Sequence, residues 1–135
     1  MNLDFLSKYR HVGFIILRFG IGGMFIYHGY GMLAGGPSLW VNIGKALTYF
    51  GIKFAPTFFG FMAALAEFGG GICLITGLFF REACFFMFFT MMVAARMHFA
   101  KGEGMQIASH AIEAGILFLS LMFIGPGAGE NSKKK

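Results

Sequence analysis

Three of the four histidines, His28, His98 and His110, and two carboxylates, Glu67 and Glu113, lie within runs made almost wholly of Phe, Met, Ile, Leu, Gly and Ala. Imidazole and carboxylate together can serve three kinds of chemistry in such surroundings. They can hydrogen-bond a quinone head group whose ring packs on Phe and Met. They can ligate a transition metal. They can also tie helices together through interhelical hydrogen bonds worth about 0.6 to 2 kcal/mol each. His110 and Glu113 are three residues apart and share a helix face, which runs on through Gln106 and Ser120 as a polar stripe. Thr90, Ala94 and His98 form a matching stripe, whereas Arg96 points about 160° away from His98 and snorkels to the surface. His28, His98, His110 and Glu113 are therefore the candidate ligand-binding or proton-relay residues, expected to line one cavity. As metal ligands they are the weaker fit, because His-x-x-Glu occurs once and reverses the Glu-x-x-His order of di-iron bundles. A haem would need two axial imidazoles facing each other.

Arg18 and Glu67 raise a separate question. A charge near the bilayer centre costs from about 2.5 kcal/mol upward, so it normally faces the bundle interior and finds a partner. Glu67 is the deepest charged residue. Its face reads Gly60, Ala63, Ala64, Glu67, Gly70, Gly71, a small-residue stripe that lets another helix approach closely. Arg18 is shallower by about five residues, roughly 7 Å along a helix, a gap that a guanidinium spans. The expectation is a buried Arg18–Glu67 ion pair, read either as a device holding register or as part of a binding or proton-transfer site.

These residues need elements that hold them in lipid. Of 135 residues 57% are hydrophobic and 13% charged, against roughly 25% charged in an ordinary soluble domain. Mean hydropathy is +0.71. A short soluble chain has too little interior for its nineteen Phe and ten Met. Four apolar runs, residues 12–33, 56–79, 83–99 and 107–124, approach the roughly 20 residues needed to cross about 30 Å of hydrocarbon. Together they predict an all-α fold, one membrane domain over residues 1–135 built as an antiparallel four-helix bundle. Gly35-Gly36-Pro37-Ser38 ends the first span, Pro56 suits a first helical turn, and Gly125-Pro126-Gly127 stops the last. The residues around Arg81 and the Lys101-Gly102-Glu103-Gly104 stretch read as short turns. The longest connection, about residues 37–54, is mildly amphipathic and predicts an interfacial segment with Trp40 and Tyr49 at the headgroups.

The first run is too long for a signal-peptide core and no A-x-A-like cleavage site follows it, so the first helix is expected to remain. With four spans, Lys8, Arg10, Arg81, Lys133, Lys134 and Lys135 share one side, six basic residues against four (Lys45, Lys53, Arg96, Lys101) on the other. Positive-inside bias then predicts both termini in the cytoplasm, with His28, His98 and His110 in the periplasmic half. The net charge of +5 suits anionic headgroups, and no basic, aromatic-interleaved face suggests nucleic acid. Cys73 and Cys84 match neither a C-x-x-C pair nor a zinc site and are expected to be packing thiols. The glycines at 20, 22 and 23 lie within an apolar span rather than a phosphate-cradling turn, and no activated Ser or Cys nucleophile is present.

The segments "LRFGIGGMFIYHGYGML", "ALAEFGGGICLITGLFFREACFFMFFTMMVAARMHFAKG" and "LFLSLMFIGPGAG" resemble the DoxX family of small four-helix bacterial membrane proteins, from about Leu17 to Gly127. The similarity is carried by Glu67, Gly70 and Gly71, by Gly77, Leu78 and Arg81, and by the Gly-Pro-Gly end. Met32 stands where the family usually has Lys, and Ala128-Gly129 where it usually has an Arg-Tyr-Ser-type tail. The resemblance implies an inner (plasma) membrane location and an association with redox systems, since some members resemble the small subunit of a thiosulfate:quinone oxidoreductase and others accompany sulfur or redox-stress enzymes. The chain is thus expected to be a small membrane subunit of a quinone-linked redox system, with quinone as the cofactor and a redox partner protein supplying electrons. Catalysis by this chain alone is not expected. The alternative is a non-catalytic membrane scaffold or assembly factor for a partner enzyme, and a homo-oligomer is compatible with either.

Overall fold

The computed structural model describes residues 1–127. The tail with Lys133, Lys134 and Lys135, used in the charge count, and the Ala128-Gly129 departure lie outside the described residues. A short 3-10 helix (Asp4–Tyr9) leads into α1 (Arg10–Ala34), followed by α2 (Gly36–Gly44), a 3-10 helix (Lys45–Phe50), α3 (Pro56–Thr76), α4 (Phe80–Ala100) and α5 (Gly104–Ile124). Four helices are long and apolar enough to cross a membrane: Asp4–Ala34, Pro56–Thr76, Phe80–Ala100 and Gly104–Ile124. They coincide with the four runs apart from shifts at their ends. α4 and α5 each start three residues earlier than hydropathy suggests, because charged or glycine-rich first turns are helical without being apolar. α3 stops at Thr76, where Gly77 adopts φ 79° and its N–H bonds the Cys73 carbonyl.

Glycine decides which helices touch. A Cβ at Gly22 would stand 2.8 Å from the Gly71 carbonyl oxygen, and one at Gly29 would overlap the Phe68 backbone. Residue numbers thus rise along α1 as they fall along α3, so the two run antiparallel with backbones in contact. α4 lies along α3, where a Cβ at Gly70 would meet Met87, and α5 packs along α4.

The long connection is helical. α2 packs beside the first turns of α3, with Gly60 against the Trp40 backbone and Gly44 against Pro56. Trp40 turns back rather than outward: its indole N–H donates to the Met32 carbonyl at 2.9 Å, and its ring lies 5.0 Å from that of Phe61. Gly36, at φ 74°, and Pro37 break the helix just beyond Met32, and the indole satisfies a carbonyl near that break. Tyr49 is exposed.

The largest fully buried side chains, Leu74, Cys84, Met87, Phe118 and Leu121, gather toward the end of the bundle where α1 begins and α3 and α5 finish. Toward the α4–α5 loop the buried positions are small: Ala95, Ala108 and Ala111. Large apolar side chains such as Phe19, Tyr27, Phe86, Phe89 and Phe123 face outward, the inside-out pattern of a lipid-solvated bundle.

Candidate site in the cleft between the first and last helices

α1 and α5 are neighbours without being packed along their length. Their rings meet at Phe25 and Phe118, edge to face at 4.8 Å. Beside that contact they part around a cavity of about 400 Å³, lined by Met24, Phe25, His28 and Met32 of α1, Glu67 of α3, Met91 of α4, and His110, Ala111 and Ala114 of α5. His28 and His110 are exposed and flank the opening, whereas Glu67 is 8% exposed and forms the inner wall. Phe25 and Tyr27 stand edge-on to the His28 ring, at 6.2 and 5.6 Å. Within the described residues Glu67 makes no ion pair or hydrogen bond. Two potential N–H donors and a buried carboxyl, framed by thioethers and a phenyl ring, form a polar centre in an apolar wall.

Two of the four residues expected in one cavity, His28 and His110, meet there, and two do not. His98 Nδ1 bonds Glu103 in the α4–α5 turn. That arrangement is set by the turn, where the Glu103 N–H returns to the His98 carbonyl at 3.0 Å, a local contact that a helix-by-helix face count does not register. Glu113 is exposed on the outer side of α5, and Gln106 and Ser120 share that exposure. The stripe was expected inside because polar groups avoid lipid. The inward face of α5 is instead built from Ala108, Ala111, Gly115, Phe118 and Leu121, whose fit against α4 leaves the polar face outward.

The expected Arg18–Glu67 ion pair is replaced by a different arrangement. Arg18 Nε donates to the Leu74 carbonyl at 2.8 Å, Nη2 to Ile75 at 3.0 Å and Nη1 to Pro126 at 3.1 Å. Its guanidinium carbon also lies 5.7 Å from the Phe80 ring centre. The last carbonyls of a helix lack intrahelical partners and carry the negative end of its dipole. One guanidinium therefore closes the end of α3 and the segment after α5 together, a use that counting opposite charges does not anticipate. Arg81 acts similarly on α5, its Nε donating to Met122 at 3.0 Å.

Glu67 became the site's buried acid because its face is shared. It also lines a second, larger cavity of about 670 Å³ between α3, α4 and the Lys45–Phe50 helix, otherwise almost wholly apolar apart from Thr90 and Glu82. No imidazole lines the larger space among the described residues. Cys73 lines it and Cys84 is buried; both thiols are free. Among the described residues no group of three or more His, Cys, Asp or Glu is close enough to hold a metal ion.

The family model named DoxX matches residues 13–100, more than half of the chain, from the first turns of α1 to the end of α4. No curated protein and no solved structure matches it. The chain belongs to the DoxX family, and with its four apolar helices it is a multi-pass membrane protein.

Proposed function

We propose that this DoxX-family chain is a small inner-membrane subunit of a redox system, and that it holds the head group of a lipid-soluble quinone in the cleft between α1 and α5. The observation that carries the reading is the convergence of His28, His110 and an otherwise unpartnered Glu67 on one cavity. An intramembrane ionisable residue without a structural partner is expected to serve a ligand or a proton. The space and its walls fit such a head group: about 400 Å³ lies within the range of small-molecule pockets, which combine apolar lining with a few convergent polar groups.

A quinone supplies two carbonyl acceptors when bound, and its reduction takes up two electrons and two protons. The chain's residues supply the rest. His28 and His110 donate N–H bonds at the rim, Glu67 holds a proton at the inner wall, and Met24, Met32, Met91 and Phe25 exclude water around them. Electrons come from a redox partner protein. Both termini lie in the cytoplasm, by the basic-residue bias, which opens the cleft in the periplasmic half.

Trp40 is the sole tryptophan and its indole is bonded to Met32, which lines both the cleft and the larger cavity. Titration of the purified protein with a short-chain quinone should therefore quench its fluorescence saturably. Glu67→Leu and His110→Ala should each weaken the midpoint by roughly tenfold, the loss of a hydrogen-bond donor to a quinone carbonyl. His98→Ala should leave it unchanged, because His98 is engaged in the turn. Absence of saturable quenching, or equal midpoints in all four folded proteins, would overturn the proposal.

A further inference from the structure

The outer face of α5 is wrong for lipid. Gln106, His110, Glu113 and Ser120 are exposed there, and Glu113 stands near the middle of Gly104–Ile124, where the bilayer is most apolar. Ser120 bonds back to the Ile116 carbonyl at 2.8 Å, but the Gln106, His110 and Glu113 side chains make no hydrogen bond or ion pair within the described residues. The long helices α1, α3 and α4 present mainly apolar groups outward between their ends. Polar groups at such depth are costly in hydrocarbon and are normally covered by another helix.

Two features of the strip identify what covers it. Gln106, His110, Glu113, Leu117, Ser120 and Ile124 recur at alternating steps of four and three, the 3.5-residue period of a helix pair with a left-handed seam. The strip is also complementary to itself. A two-fold axis along the membrane normal keeps both copies in the same topology, so their α5 helices run parallel with equal residues at equal heights. Gln106 then faces Gln106, and an amide both donates and accepts. Ser120 faces Ser120 in the same way. His110 and Glu113, offset by about 4.5 Å along the axis, can pair reciprocally, the imidazole N–H of each copy donating to the carboxylate of the other. We infer that two copies of this chain associate in the membrane through the outer face of α5, with His110 and Glu113 exchanged across the two-fold axis. Protonated on both ring nitrogens beside the partner's carboxylate, His110 has two N–H groups and can donate one to this contact and the other at the rim of its own cleft.

The test is disulfide trapping in native membranes, using full-length chain with Cys73→Ala and Cys84→Ala. Ser120→Cys in that background should oxidise to a species of twice the chain mass, while Phe86→Cys, equally lipid-facing on α4, should not. Adding Glu113→Leu should lower the trapped fraction and shift the monomer–dimer midpoint in a detergent dilution series by about tenfold or more, given two symmetric interhelical bonds lost. Helix content by circular dichroism checks that each variant is folded. Equal trapping at Ser120→Cys and Phe86→Cys, a Ser120→Cys adduct of some other mass, or a midpoint indifferent to Glu113→Leu would overturn the interface.

Discussion

Arg18 shows how far residue types alone reach. Its need for a partner is legible from its place in an apolar run, and so is the depth of Glu67. The choice of partner is not, because backbone carbonyls freed at helix ends carry no mark in the sequence, whereas an acidic side chain does. The geometry reverses the expected energetics. Arg18→Leu removes three hydrogen bonds from a cation to helix-end carbonyls and should cost about 3 kcal/mol or more, with Arg18→Lys recovering part. Glu67→Leu breaks no pair and should change stability by less than about 1 kcal/mol. An unfolding titration in mixed micelles should find the two losses additive within about 0.5 kcal/mol in the double variant; recovery of stability in Arg18→Leu/Glu67→Leu would restore the ion pair. His98 carries the same lesson, since its partner Glu103 lies five residues on, across a turn.

Among elements, the four spans were readable from hydropathy and their ends from Gly and Pro, because both follow from local physics. Which helices touch was half readable. The small-residue stripe on α3 marks a close approach, and the structure divides it: Gly71 faces α1, Gly60 faces α2 and Gly70 faces α4. The distinction between neighbouring glycines is not in the sequence at all. Gly22 has the Gly71 carbonyl oxygen and Ile75 each 2.8 Å from its would-be Cβ, whereas Gly23 has nothing within 4 Å. Gly22→Ala should therefore destabilise the α1–α3 pair by about 1–3 kcal/mol. Gly23→Ala should be neutral or gain about 0.5–1 kcal/mol by removing glycine from a helix interior. The same unfolding titration checks both, and equal effects would contradict the assigned contact. The outward turn of the α5 polar face was missed for a related reason: periodicity shows that a face exists, and only the fit of Ala108, Ala111 and Gly115 against α4 shows which way it points.

For the whole molecule, the division of labour runs along the bundle. The end where α1 begins is filled by Phe118, Leu74 and Met87 and closed by Arg18. The half toward the α4–α5 loop has small buried residues and the cleft. The charge bias predicts that a reporter fused after Lys135 is active only in its cytoplasmic form, and periplasmic activity would exchange the sides of the cleft. Family membership came through sequence motifs; the placing of His28, His110 and Glu67 around one cavity needed the fold, because it joins three helices whose rotations no single run reveals. On the proposed function the polar cleft between α1 and α5, and not the larger apolar groove between α3 and α4, receives a quinone head group. Photolabelling with a quinone that bears an azide on its ring, followed by peptide mass mapping, addresses it most directly. Adducts should fall within Met24–His28 and His110–Ala114, which line the cleft alone, and diminish in His110→Ala. Labelling confined to the groove around Phe86, Val93 and Met97, or none that unlabelled quinone displaces, would contradict it.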